Sequence, residues 1–238
     1  MSLSSAFQTE SRFRYSLDAF GVNAFVRFEL GATGTSWHCA GPRRLLSRRF
    51  RAHVSRWFDF RSDAEDFRQH LATLSASGGG DFPEAPERGF QAAEQLAWRT
   101  ADTTAKLAFW VADAPHHDGH AQAMADALRG MQALGVHVYP VASSGVDDLT
   151  ELSMRTAAAL TGGRYLFLTD DSGVGNDHKE PTIPCYFVTS LRDAIVRMVD
   201  IELAGRYHEP DSSEIIRKGG DPRDGACQLG SGESVFVY

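Results

Sequence analysis

Two stretches of this chain carry oxygen donors in a pattern that could do chemistry. Ser77-Gly78-Gly79-Gly80-Asp81-Phe82-Pro83-Glu84 is a glycine-rich loop that sets two carboxylates at the mouth of a helix, and the apolar run Lys106–Val111 ends on Ala112-Asp113. Asp81, Glu84 and Asp113, gathered at one edge of a sheet, would suit a hard divalent cation, Mg²⁺ or Ca²⁺, because both prefer carboxylate, carbonyl and water oxygens. The spacing Asp81-x-x-Glu84 also has the form of a capping box, with Asp81 accepting a backbone N–H and Glu84 reaching back. The three glycines favour the metal, since a cap needs no such loop and a backbone that brings a carboxylate close to an ion does. The two roles can also share one carboxylate through different oxygens. For Asp113, followed by Ala114-Pro115, the plain alternative is a helix cap or turn.

Other polar clusters are weaker. His117-x-x-His120, beside His116 and Asp118, supplies at most two of the four ligands a tetrahedral zinc needs, and reads as an exposed polar loop. Asp170–Asp177 is acidic and glycine-rich but lacks the alternating acids and closing Glu of a calcium loop, so it reads as a solvated rim. The chain has no Gly-x-Ser-x-Gly, no His-Glu-x-x-His, no phosphate loop ending in Gly-Lys, and no Gly-x-Gly-x-x-Gly after a strand. Ser172 and His178 could be named as a nucleophile and base, but nothing in their spacing supports it.

The elements that must position these residues follow from periodicity. Ser62 caps a helix over Asp63–Leu74, with Phe67, Leu71 and Leu74 on one stripe; a second helix runs from Pro83 to Trp98, with Pro86, Phe90, Ala93 and Ala97 at helical spacing. Lys106–Val111, Val136–Val141 and Arg164–Leu168 have strand length and composition, and helices over Gly119–Leu134 and Asp147–Leu160 close on Gly135 and Gly162-Gly163. Thr189–Leu203 is amphipathic, with Leu191, Ile195, Met198 and Ile201 inward, and Ser234–Tyr238 reads as an edge strand or hairpin arm. This alternation predicts an α/β fold, a doubly wound, mostly parallel sheet with helices on both faces. In such sheets ligands sit beyond the carboxyl ends of the strands, which is where Asp113 and Asp170 fall.

Composition bounds the rest. With 238 residues and 42% hydrophobic content the chain has material for one large domain. No run of eighteen apolar residues is present, so no membrane-spanning helix is expected, and no secretory signal is visible at the N-terminus as written. The net charge of −7 argues against a general nucleic-acid binder. It divides as +6 over residues 1–56 and −13 over residues 57–238. Cys39, Cys185 and Cys227 are too far apart for a zinc knuckle or a CxxC pair; cysteine usage favours buried free thiols, with a Cys185–Cys227 bridge as the alternative in an exported protein.

From Trp57 to about Arg206 the chain resembles a von Willebrand factor A domain. The resemblance rests on Phe58-Asp59-Phe60 before an acidic helix, Ser75–Ala85, Leu96–Arg99, Phe109–Pro115, Gly135–Tyr139 and Leu160–Tyr165, in order. It implies a doubly wound sheet with a metal-ion-dependent adhesion site, at which a divalent ion completes its coordination with a partner's carboxylate. By position Asp81 falls where many members place a metal-binding Thr, Glu84 resembles the glutamate of the integrin β-subunit loop, and Asp113 matches the third-loop aspartate. The family's first ligand loop, Asp-x-Ser-x-Ser after the first strand, is missing: Asp170-x-Ser172 and Asp211-Ser212-Ser213 do not complete it.

The expected organisation is thus an atypical basic segment over residues 1–56, a von Willebrand A-like domain over 57–206, and a tail over 207–238. Ala24–Leu30 has strand character but leads into Gly31–Ser36, which holds no acid. A shifted reading frame upstream of Trp57 would account for the charge split, and predicts that the nucleotide sequence read one base over encodes a strand followed by Asp-x-Ser-x-Ser. The expected function is a non-enzymatic protein-binding or adhesion module whose divalent-metal site is degenerate, with Mg²⁺ or Ca²⁺ held weakly or lost. The alternatives are a metal-independent interaction domain and a hydrolase using the His116–His120 loop. Loss of the first strand would leave apolar neighbours bare and the fold marginal unless Ala24–Leu30 takes its place.

Overall fold

The computed structural model describes residues 13–20, 23–31, 56–61, 65, 69, 82–102, 104–172 and 177–236. Its centre is β4 (Thr104–Ala112), apolar without a break from Leu107 to Ala112 because both faces are covered there. Ala108, Trp110 and Ala112 point into a core shared with α1 (Pro86–Glu94), α2 (Ala121–Ala133) and α3 (Asp148–Thr161). Leu107 and Phe109 point the other way, toward Met198, Val199 and Ile201 of α4 (Leu191–Ala204). Phe90 of α1 meets the edge of Trp110 at 5.3 Å between ring centres, and Phe109 stacks on Tyr139 at 5.2 Å.

The main sheet has six strands in the order β3-β1-β2-β4-β5-β6, with β1 Phe13–Phe20, β2 Asn23–Gly31, β3 Arg56–Arg61, β5 His137–Ala142 and β6 Leu166–Phe167. The protein is α/β, with helices on both faces of β4 and β5. The sheet is mixed, however, rather than mostly parallel. Only β4–β5 and β5–β6 are parallel, while β1–β2, β1–β3 and β2–β4 are antiparallel. The physical reason is the connection: β1 and β2 reverse at Phe20–Asn23, too short for the helical crossover that a parallel pair requires. The strand expected over Ala24–Leu30 does take the place beside β4, paired from Ala24↔Val111 to Gly31↔Thr104.

Several boundaries move. The helix expected over Pro83–Trp98 is confined to Pro86–Glu94, so Ala97 lies beyond it and is exposed. Proline at its first position suits a start there. Only the centre of the strand expected over Arg164–Leu168 pairs, as β6. Leu191, expected inward on α4, is 38% exposed, since it sits in the first turn before the helix reaches the sheet. Gly135 and Gly162 take φ of +68° and +78°, the left-handed conformation that ends α2 and α3. Gly163 matters for a different reason: a Cβ there would lie 1.9 Å from the Val138 carbonyl oxygen of β5.

Two small antiparallel pairs complete the described structure, β7 (Tyr186–Val188) with β8 (Arg217–Gly219) and β9 (Ala226–Gln228) with β10 (Ser234–Phe236). The last strand is therefore a hairpin arm. Cys185 and Cys227 form a disulfide, Cα atoms 5.6 Å apart, correcting the expectation of free thiols. Phe187 packs beside them, so the bridge and one aromatic ring make a separate small core for the tail. Of the helix expected over Asp63–Leu74, Glu65 and Gln69 are described, both helical, with Gln69 Nε2 donating to Glu65 Oε1 at 3.2 Å. Cys39 and the glycine-rich loop through Asp81 lie outside the described residues.

Candidate functional site

The loop that follows β4 and the approach to α1 are stitched together by backbone. Glu84 N–H donates to Pro115 O at 2.8 Å, and Glu84 forms a parallel bridge with His116. The structure therefore brings Glu84 and Asp113 to the same edge, the carboxyl end of β4. Asp81, the third expected ligand, lies outside the described residues. Among the described residues no three His, Cys, Asp or Glu side chains group closely enough to hold an ion.

Asp113 is nevertheless an unusual carboxylate. Its Oδ1 is buried with no hydrogen-bond partner. Burial pushes its pKa up, a shift that a bond from its own backbone only partly offsets. Glu151 shows how this fold treats a carboxylate with a structural task. It is 2% exposed, and its Oε1 accepts from Thr182 N and Oγ1 at 2.9 and 2.8 Å while its Oε2 accepts from Lys179 Nζ at 2.8 Å. Burial raises the pKa of Glu151, yet these donors outweigh it and hold the group below the ordinary range. Asp113 has no such set, and an orphaned buried oxygen is where a cation or a bound water would be accommodated.

Sequence reasoning missed a fourth carboxylate. Glu87, in the first turn of α1, is 1% exposed, and neither oxygen has a hydrogen-bond partner. His120 Nδ1 lies 2.9 Å from Glu87 Oε1, close enough for an ion pair but out of alignment for a hydrogen bond. The signal was present: Glu87 sits three residues before Phe90, on the buried stripe. An acid in a first helical turn reads first as a partner for the helix dipole, which hides it. His117 and His120, read as an exposed polar loop, stack edge to face at 5.5 Å, and His116 Nδ1 is buried without a partner.

At the next strand end the structure makes a different constellation. Ser144, after β5, places Oγ 3.3 Å from His178 Nε2, and Asp170 Oδ1 accepts from His178 N at 2.8 Å with Nδ1 at 3.2 Å. The bonds from His178 depress the Asp170 pKa. His178 thus pairs with Ser144; the side chain of Ser172, its partner in the sequence reading, lies outside the described residues. The Asp170 side chain is 70% exposed, so water competes for the carboxylate that a charge-stabilising triad would bury.

The ends of β1 and β2, Phe20 paired with Asn23, stand at the same edge as Asp113, because Ala24 pairs with Val111. From Phe20 to Asn23 the sequence reads Phe-Gly-Val-Asn, with one amide and neither carboxylate nor hydroxyl. Compared with protein-family models, with curated proteins and with solved structures, the chain matches none.

Proposed function

We propose that this chain is a non-enzymatic protein-binding module of the von Willebrand factor A type, with a degenerate site for Mg²⁺ or Ca²⁺ at Asp113 and Glu84, and Asp81 as the third donor. The observation that supports it best is the orphaned Oδ1 of Asp113 at the carboxyl end of a central strand. The helices on both faces of β4 and the tie from Glu84 to Pro115 agree with it. With no hydroxyl-bearing first loop, the ion would be held from one side and complete its shell with water and a carboxylate of the protein partner. Affinity should accordingly be weak, on the order of 10⁻³ M. Calorimetric titration with Mg²⁺, Ca²⁺ and Mn²⁺ tests this: Asp113→Ala should abolish binding, and tight binding that survives the substitution refutes the site. Partner binding undiminished by a chelator would favour the metal-independent interaction domain instead.

A second reading, hydrolysis, gains its support from Ser144 and His178 rather than from the His116–His120 loop. It requires turnover of an activated ester that disappears in both Ser144→Ala and His178→Ala.

A further inference from the structure

The edge of the main sheet and the β7–β8 pair are not hydrogen-bonded to each other, and a cavity of about 210 Å³ opens between β6, β7 and the start of α4. Leu166, Leu168, Phe187 and Val188 line it, with Ile216, itself 54% exposed, at its rim. Two charged residues, Asp171 and Arg197, interrupt this largely apolar lining. Arg197, two turns into α4, also lines the cavity and is 5% exposed.

The surroundings of Arg197 do not satisfy it. Its Nε has no hydrogen-bond partner, and its Nη1 reaches only the His208 carbonyl at a long 3.4 Å. The Tyr207 ring lies 5.9 Å away and its hydroxyl, beside the guanidinium, favours the charge, whereas Arg164, over the same ring at 4.5 Å, adds a like charge. Among the described residues no carboxylate forms an ion pair with Arg197, and Glu214 favours its charge only from a distance. Asp171, which also lines the cavity, is engaged by Arg217 Nε at 2.8 Å and Thr169 Oγ1 at 3.1 Å. Nor does the N-terminus of α4 need a ligand, since Ser190 Oγ accepts from Asp193 N at 3.1 Å.

A guanidinium cannot relieve its burial by losing its proton, and an uncompensated buried charge is strongly destabilising. Buried charges are as a rule paired, and an anion from outside the chain would pair this one. Arg197 borders this largely apolar chamber, and a planar guanidinium matches a carboxylate on a hydrocarbon body, bound bidentately, better than it matches a highly hydrated inorganic anion. The volume sets the size. At about 30 Å³ per water it holds roughly seven waters, room for an acid of about six to nine non-hydrogen atoms. We propose that this cavity binds a small monocarboxylic acid with a branched or aromatic hydrocarbon body, its carboxylate held by Arg197. The site is separate from Asp113 and independent of any metal there.

The test uses the full chain, 4-methylpentanoate and benzoate as probes, and their primary amides and inorganic phosphate as controls, read by calorimetry and thermal shift. The acids should bind and raise the melting temperature in proportion to the logarithm of concentration above Kd. The amides and phosphate should not. Arg197→Met, which keeps the volume and removes the charge, should weaken acid binding at least tenfold, with Arg197→Lys between it and the parent. Ile216→Trp narrows the mouth from an exposed position and should also lower affinity, which decides the matter if Arg197→Met fails to fold. Failure of both acids to bind, equal binding of the amides, or unchanged affinity in the folded Arg197→Met or Ile216→Trp variant would overturn the proposal.

Discussion

Replacing Thr161 with Val isolates one hydrogen bond that holds the sheet to its helices. β6 pairs with β5 only at Val141 and Ala142, so nearer its start β5 has no strand on that side among the described residues. Val138 there is 0% exposed, and its N–H donates to Thr161 Oγ1 at 2.9 Å, while the hydroxyl donates on to Ala157 O at 2.8 Å. Valine has nearly the shape of threonine, so no cavity opens, but the Val138 N–H is left buried without an acceptor. That penalty is about 1–3 kcal/mol. For a chain of this size it corresponds to a fall in melting temperature of about 2–4 °C for each kcal/mol. Thr161→Ser is the control: it keeps the hydroxyl and loses one buried methyl, about 0.8 kcal/mol. The valine variant should therefore be the less stable of the two, read as a lower urea midpoint at an unchanged slope. A valine variant as stable as the parent, or more stable than the serine variant, would refute the reasoning.

Stability should also respond to pH through Glu202. His137 Nδ1 lies 2.6 Å from Glu202 Oε1, and the Tyr139 hydroxyl donates to the same oxygen. Burial raises the Glu202 pKa, but the bonds from His137 and Tyr139 outweigh it and hold it below 4.5, while the bond to Glu202 lifts His137 above 6.5. The glutamate's contribution is lost as pH falls through its depressed value, and the histidine's is lost as pH rises through its elevated one. Both are fully present only between the two ordinary values, 4.5 and 6.5. Glu202→Gln should lower the melting temperature most between those two values and flatten the fall on either side of them, and an unchanged profile contradicts the pairing. The disulfide closes a loop with a sequence separation of 42. On chain entropy alone, opening it by reduction or by Cys227→Ser should lower stability by about 4 kcal/mol. A denaturation midpoint indifferent to dithiothreitol would show that the bridge does not support the fold.

How much of this was legible beforehand varies with the range of the interaction responsible. The helix ends at Gly135 and Gly162 were readable because a left-handed residue is a local requirement that the glycine itself meets. Asp113 was readable because it directly follows a buried-type strand. Glu87 was legible only as a position on the buried stripe of α1, because its partner, His120, is more than thirty positions away. Ser144 was missed for the same reason, since His178 reaches it only once β5 and β6 lie side by side. The bridge between Cys185 and Cys227 depended on the β7–β8 pair meeting the β9–β10 hairpin.

The amino-acid order determined which segments are helices and strands and which faces of them are apolar, because periodicity and turn chemistry act within a few residues. It thereby determined the α/β class and the strand end on which Asp113 stands. Only the tertiary structure decided that the strand beside β4 runs antiparallel, that Glu87 and Arg197 are buried without adequate partners, and that a cavity lies between β6 and β7. Those outcomes turn on which distant surfaces pack together, and an apolar stripe states that a face will be buried without stating against what.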